Sequence, residues 1–182
     1  SEQQQIELRQ MADQARVGEQ DLRRQAEARA KMSEAALLVR QENFSQAAQL
    51  LGDIVSLPAE PSLDAVAAYR AVGQFLALRQ EWQQAKRHFW ALVEIDKFDD
   101  WKVVTLDYMS CGVVLLEAAD YGGYEKFRRM AVAGFAQTPN SDAAGRILKT
   151  CLFQPINETT LREVRPLADL VEKWMPELNH DT

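Results

Sequence analysis

The chain has 182 residues, of which 47% are hydrophobic and 26% charged, with a net charge of −6. That length and apolar content build one core of domain size, and the acidic balance repels duplex nucleic acid. No run approaches the ~20 apolar residues of a membrane-crossing helix, no signal peptide opens the chain, and two cysteines make no disulfide framework.

Residues 1–41 read as one long helix. They contain no proline, alanine and glutamine dominate, and Glu19→Arg23 and Glu27→Lys31 are favourable i,i+4 pairs. The apolar stripe before residue 30 is thin: Leu8, Met11, Ala12, Ala15, Leu22 and Ala26. Gly18, Gln25 and Arg29 interrupt its heptad register, so a sustained coiled coil is not written here. Residues 1–30 are expected to form a stalk or docking helix. A start at Ser1, without an initiator Met, fits a piece of a longer protein.

From Lys31 onward an internal period appears. An aromatic stands at each short helix–helix turn: Phe44 in QENFSQA, Trp82 in RQEWQQA and Tyr121 in AADYGGY, spaced 38 and 39 residues apart. Nine residues before each is a small residue, Ala35, Gly73 or Gly112, and three after the first two comes Ala47 or Ala85. Tyr124 takes that last place in the third copy. Helix-period segments flank every turn, which predicts three stacked helical hairpins over residues 31–136. The small residue lets the second helix approach, the aromatic fills the turn, and the alanine keeps the second helix thin. Gly73 and Gly112 should therefore each face the second helix of their own hairpin.

Two more helices are predicted over residues 137–182 as an atypical terminal cap. Ser141 is expected to cap the first. The Thr160-Leu161-Arg162-Glu163 run has capping-box spacing for the second, with Pro166 kinking it or delaying its start. The expected fold class is all-α: tetratricopeptide-like antiparallel hairpins of α-solenoid type with a long N-terminal helix, seven or eight helices and no sheet.

Little in the chain suggests chemistry. Neither His88 nor His180 has a Cys, His or acid at metal-ligand spacing. Asp96, Asp99 and Asp100 suit capping of a helix near Trp101 better than a calcium loop. Cys111 and Cys151 lie in apolar runs and are expected to be buried free thiols, a disulfide between them being open only in an oxidising compartment. The basic run Lys126-Phe127-Arg128-Arg129 is read as a solvated helix face. Trp82, Trp90, Trp101 and Trp174 are read as core and turn packing rather than a binding surface. No catalytic residue, cofactor or metal is expected.

The small–aromatic–alanine pattern resembles the tetratricopeptide repeat, whose standard length is 34 residues. The period here is longer, and Ala59, Lys97 and Ala136 stand where that repeat usually closes with proline. Longer stretches, among them LLVRQENFSQAAQLL and LDYMSCGVVLLEAADYGGYEKFRRMAVAGFAQTPNSDAAGRILKTCLFQP, are similar to the C-terminal region of certain bacterial serine/threonine protein kinases. In those proteins a kinase domain, a membrane helix and an Ala/Gln/Arg-rich stalk precede a tetratricopeptide-like domain. The resemblance implies a sensory or scaffolding domain, and residues 1–30 look like the stalk. Gly-rich phosphate loop, His-Arg-Asp and Asp-Phe-Gly motifs are absent from this sequence. An extracytoplasmic placement is implied, with the side of the membrane open.

In the repeat family the first helices line a groove. Its two peptide-clamp positions fall on Met32 and Ala36, Arg70 and Gln74, and Met109 and Val113. Of these side chains only Arg70 is able to pair with a carboxylate, so a peptide C-terminus is a poor ligand, and the apolar remainder prefers an amphipathic helix. That helix belongs to a partner, to a second copy in a homodimer, or to the chain's own residues 1–30 folded back, unless these side chains are simply buried between helices. The expected function is a non-catalytic interaction module, the regulatory part of a receptor kinase. The alternative is a freestanding assembly subunit that dimerises through its N-terminal helix.

Overall fold

The computed structural model describes residues 2–54, 57, 61–96 and 99–174. Among these residues eight α-helices follow one another: α1 Glu2–Arg40, α2 Phe44–Gly52, α3 Leu63–Leu78, α4 Trp82–Ile95, α5 Trp101–Glu117, α6 Tyr121–Phe135, α7 Ser141–Cys151 and α8 Glu158–Trp174. Among the described residues there is no strand. Ala59, Lys97, His180 and the Trp174 side chain lie outside the described residues.

The hairpin turns repeat in backbone detail. Glu42, Gln80 and Ala119 each take a left-handed conformation, with φ of 59°, 61° and 55°. The next residue donates its N–H back across the turn: Asn43 to Leu38, Glu81 to Leu76 and Asp120 to Leu115, at 2.9, 3.0 and 2.9 Å. The same residue is the N-cap of the following helix, and its carbonyl accepts from Ala47, Ala85 or Tyr124. One residue thus closes one helix and opens the next. None of the three left-handed positions is glycine, the residue that adopts this conformation without penalty.

The chain divides into two compact units, residues 1–71 and 72–182. In the first, α1 packs on α2 through small side chains. Ala28, Met32, Ala35 and Ala36 on α1 are buried, as are Ala47, Ala48 and Leu51 on α2. Arg40 pairs with Asp64 at the start of α3, where Ser62 Oγ accepts from the N–H of Ala65.

In the second unit the helices stack in solenoid fashion: α4 on α5, α5 on α6 and α7, and α6 on α7 and α8. Phe89, Leu92, Tyr108, Cys111, Phe127, Ile147 and Leu167 belong to its core. Tyr108 meets Phe127 and Phe135 with ring centroids 5.7 and 5.3 Å apart. Asp100 caps α5 by accepting from Lys102 N–H.

Four local expectations need correction. Asn140, not Ser141, caps α7, accepting from Ala143 N–H. Asn157, not Thr160, caps α8, accepting from Thr160 N–H. In each case an asparagine upstream of the expected residue supplies the capping oxygen. α8 starts at Glu158 and runs through Pro166 rather than starting after it; the lost N–H bond is tolerated within a helix held by packing against α7 and α6. Arg128 does not face solvent: it is 1% exposed, because it lies a helical period from Tyr124, Ala131 and Val132 on the buried side of α6.

Candidate functional site: an apolar cleft in the second unit

Gly73 on α3 brings the Phe89 ring to 3.0 Å from where a Cβ would stand. That close approach seats α4 against its own hairpin partner and lays Phe89 as one wall of a cleft of about 620 Å³. Gln74, Ala77 and Leu78 of α3, Trp82 of α4, and Met109, Ser110, Val113 and Val114 of α5 form the rest, with Phe153 from beyond α7. Leu78 is 87% exposed, and Val113 and Phe153 are also open to solvent.

The polarity of the cleft is low. Ser110 Oγ donates to Leu106 O within its own helix at 2.9 Å, and the Gln74 amide and the Trp82 indole are the other polar side-chain groups of the lining. Among the described residues no acid, base or charged side chain lines it. Cys111, next to Ser110, is fully buried, and that burial pushes its thiol far above the ordinary range. Cys151 is likewise buried and free, raised to about 12. Neither supplies a thiolate nucleophile. Burial also lowers His88 to about 4, with Arg87 adding to the effect.

The side chains named from the sequence divide between the two units. Gln74, Met109 and Val113 line this one cleft. Met32 and Ala36 are buried in the first unit and present no surface to a partner; the tight α1–α2 contact needs them inside. Arg70 is half-buried there. Residues 2–30 belong to α1, which runs unbroken to Arg40, and residues 3–24 are exposed.

The repeat-marking positions also have distinct fates. Ala35, Ala47 and Ala85 are fully buried, and Phe44 and Trp82 are half-buried. Tyr121 is 59% exposed and does not fill its turn. Tyr124 holds the inward place instead, its hydroxyl donating to Thr150 O at 2.7 Å. A Cβ at Gly112 would meet Phe127 at 3.2 Å, as its own hairpin requires, and also Thr150 at 3.0 Å.

Leu78, Phe89 and Phe153 are cleft residues that sequence reading passed over. Leu78 offered a signal, being an apolar residue off the buried face of α3 beside a turn. A second hollow of about 410 Å³ lies by Lys86, Arg87, Trp90, Asp120, Gly123 and Lys126. Its cations are largely engaged: Lys86 bonds Asp120 at 2.9 Å, and Lys126 stands over the Trp90 ring. The Lys86 bond, and then the Gly123 N–H, hold the Asp120 carboxyl below its usual range. Among the described residues no cluster of three or more His, Cys, Asp or Glu could hold a metal, and no helix is long and apolar enough to cross a membrane. Comparison with known proteins gave no match to any family model, curated protein or solved structure.

Proposed function

We propose that this chain is a non-catalytic protein-interaction module that seats an amphipathic helix in the cleft formed by α3, α4 and α5. The observation that carries this reading is the open apolar lining, to which Leu78, Trp82, Met109, Val113 and Phe153 contribute. A volume of about 620 Å³ takes two or three large apolar side chains, as an i, i+3/i+4 and i+7 helix face supplies. The uncharged lining disfavours an acidic peptide terminus. The resemblance to the C-terminal region of bacterial serine/threonine kinases supports reading it as the sensory or scaffolding part of such a receptor. A freestanding assembly subunit is the second reading, favoured by the exposed N-terminal half of α1.

Selection of helical peptides from a random display library tests the binding mode. Expected ligands carry apolar residues at helical spacing and are lost on Val113→Glu or Leu78→Glu, with folding preserved. Ligands selected for a free C-terminal carboxylate, or binding untouched by both substitutions, would overturn it. The reading frame encoding the chain separates receptor from freestanding subunit.

A further inference from the structure

The N-terminal half of α1 has a face whose partner its own charges identify. The buried face of the C-terminal half is set by Ala28, Met32, Ala35 and Ala36. At 3.6 residues per turn, the Leu8, Met11, Ala15, Leu22 and Ala26 stripe lies about 120° around the helix from that face. It is therefore a separate surface and not an extension of the α1–α2 contact. Leu8, Met11 and Leu22 are 65%, 66% and 70% exposed. Residues 2–27 extend for about 39 Å at helical rise. A lone helix of this composition is marginal in water.

Two rows of charge flank the stripe. Glu7 and Asp21, with Gln14 between them, run along one edge, and Arg9, Arg16 and Arg23 run along the other. Glu19, level with the stripe's edge, and Glu27 are the acids on the arginine side, Glu27 lying 3.7 Å from Arg23 on the same helix, and Asp21 of the other edge lies 3.8 Å from Arg24. When two such helices pair in parallel about a two-fold axis, the acidic edge of each meets the arginine edge of the other. Ala12 and Ala26 are short enough at that edge for the carboxylates to reach across. In antiparallel pairing, acid meets acid and arginine meets arginine, which is repulsive. Glu19 faces the neutral Gln14 in the parallel arrangement.

We infer that residues 2–27 form a parallel homodimer with a second copy of this chain, through Leu8, Met11, Ala15 and Leu22. The small seam residues Ala15 and Gly18 bring the axes close, and the polar Gln25 ends the seam. The inference stands apart from the helix-binding reading of the cleft, since it uses none of the cleft residues.

Sedimentation equilibrium of the full chain, with cysteine cross-linking, tests it. Cys111 and Cys151 are buried and do not compete. The expected mass is that of two chains, falling to one in Leu8→Glu/Leu22→Glu with the remaining helical signal retained. Ala15→Cys should cross-link on mild oxidation, and Gln20→Cys, on the opposite face, should not. A monomer at every concentration, or equal cross-linking at the two positions, overturns the inference. So does faster cross-linking in a mixture of Ala15→Cys and Gly18→Cys chains than in either alone, which is the antiparallel signature.

Discussion

The second and third hairpins, α3/α4 and α5/α6, share one turn geometry and fill their crossings with opposite chemistry. Counting from Trp82, the sixth and seventh residues are His88 and Phe89; counting from Tyr121, they are Phe127 and Arg128. All four are buried. In the second hairpin the ring that meets the glycine is Phe89; in the third it is Phe127, and the polar group has moved to the next position. The reason lies in what each hairpin must receive next. Phe127 lies against Gly112 and Tyr108 of α5, while Arg128 reaches α8: its Nη2 donates to Thr160 Oγ1 at 2.9 Å and bonds Glu125. Thr150 and Phe153 also close over Gly112. On the second hairpin, Phe89 is a wall of the open cleft. The turn is common to both hairpins, while the crossing is fitted to its neighbours.

Moving the arginine is the hardest test of that contrast. Phe89→Arg should destabilise the second unit by about 3–5 kcal/mol, because a buried guanidinium there lacks the Thr160 and Glu125 partners it has at position 128. Chemical denaturation measures the loss; a stability within 1 kcal/mol of the parent would mean that the position is wet. Acid separates the hairpins next. His88 is lowered from 6.5 to about 4, so the unfolded chain takes a proton that the folded chain refuses. Stability is full above pH 6.5 and declines by roughly 3 kcal/mol as pH falls to about 4. His88→Phe, which imitates the third hairpin, should remove that part of the slope in denaturant titrations at stepped pH.

The glycines give a smaller contrast. Gly112→Leu meets side chains from two directions and should cost about 3 kcal/mol, while Gly73→Leu displaces a single ring at a cost of about 1–2 kcal/mol. Equal losses in melting experiments would remove the distinction drawn at the crossings. The smallest effect belongs to what the hairpins share. Gln80→Gly and Ala119→Gly should each stabilise by about 0.5–1 kcal/mol, since both residues carry the left-handed penalty. A gain at one turn and a loss at the other would show that the turns differ in energy despite their matching bonds.

Much of this architecture was legible because burial imposes a period. The Phe44, Trp82 and Tyr121 spacing marks the turns, and Gly73 does admit a ring from its own hairpin. The turn residues themselves were hidden: a helix normally stops on glycine, and Glu42, Gln80 and Ala119 give no such mark. Arg128 was hidden differently, since a charge reads as solvent-facing until its phase against Tyr124 and Ala131 is weighed. In the cleft, Gln74, Met109 and Val113 follow from the clamp positions of the resembled repeat, carried over at the period of the first helices. Phe153 does not, because it reaches the cleft only through the seating of α7, a contact distant in sequence.

Arg128 imposes an order of assembly on the second unit. Its Nε and Nη1 have no hydrogen-bond partner although both are buried, so seating this side chain strips water that the protein only partly replaces. Thr160, the partner it does gain, arrives with α8. During synthesis, therefore, α6 keeps a hydrated guanidinium on its inner side until residues 158–174 have emerged. The last helix does more than lengthen the stack: its docking is the dehydration step, and a nascent chain halted before it waits with that seam open.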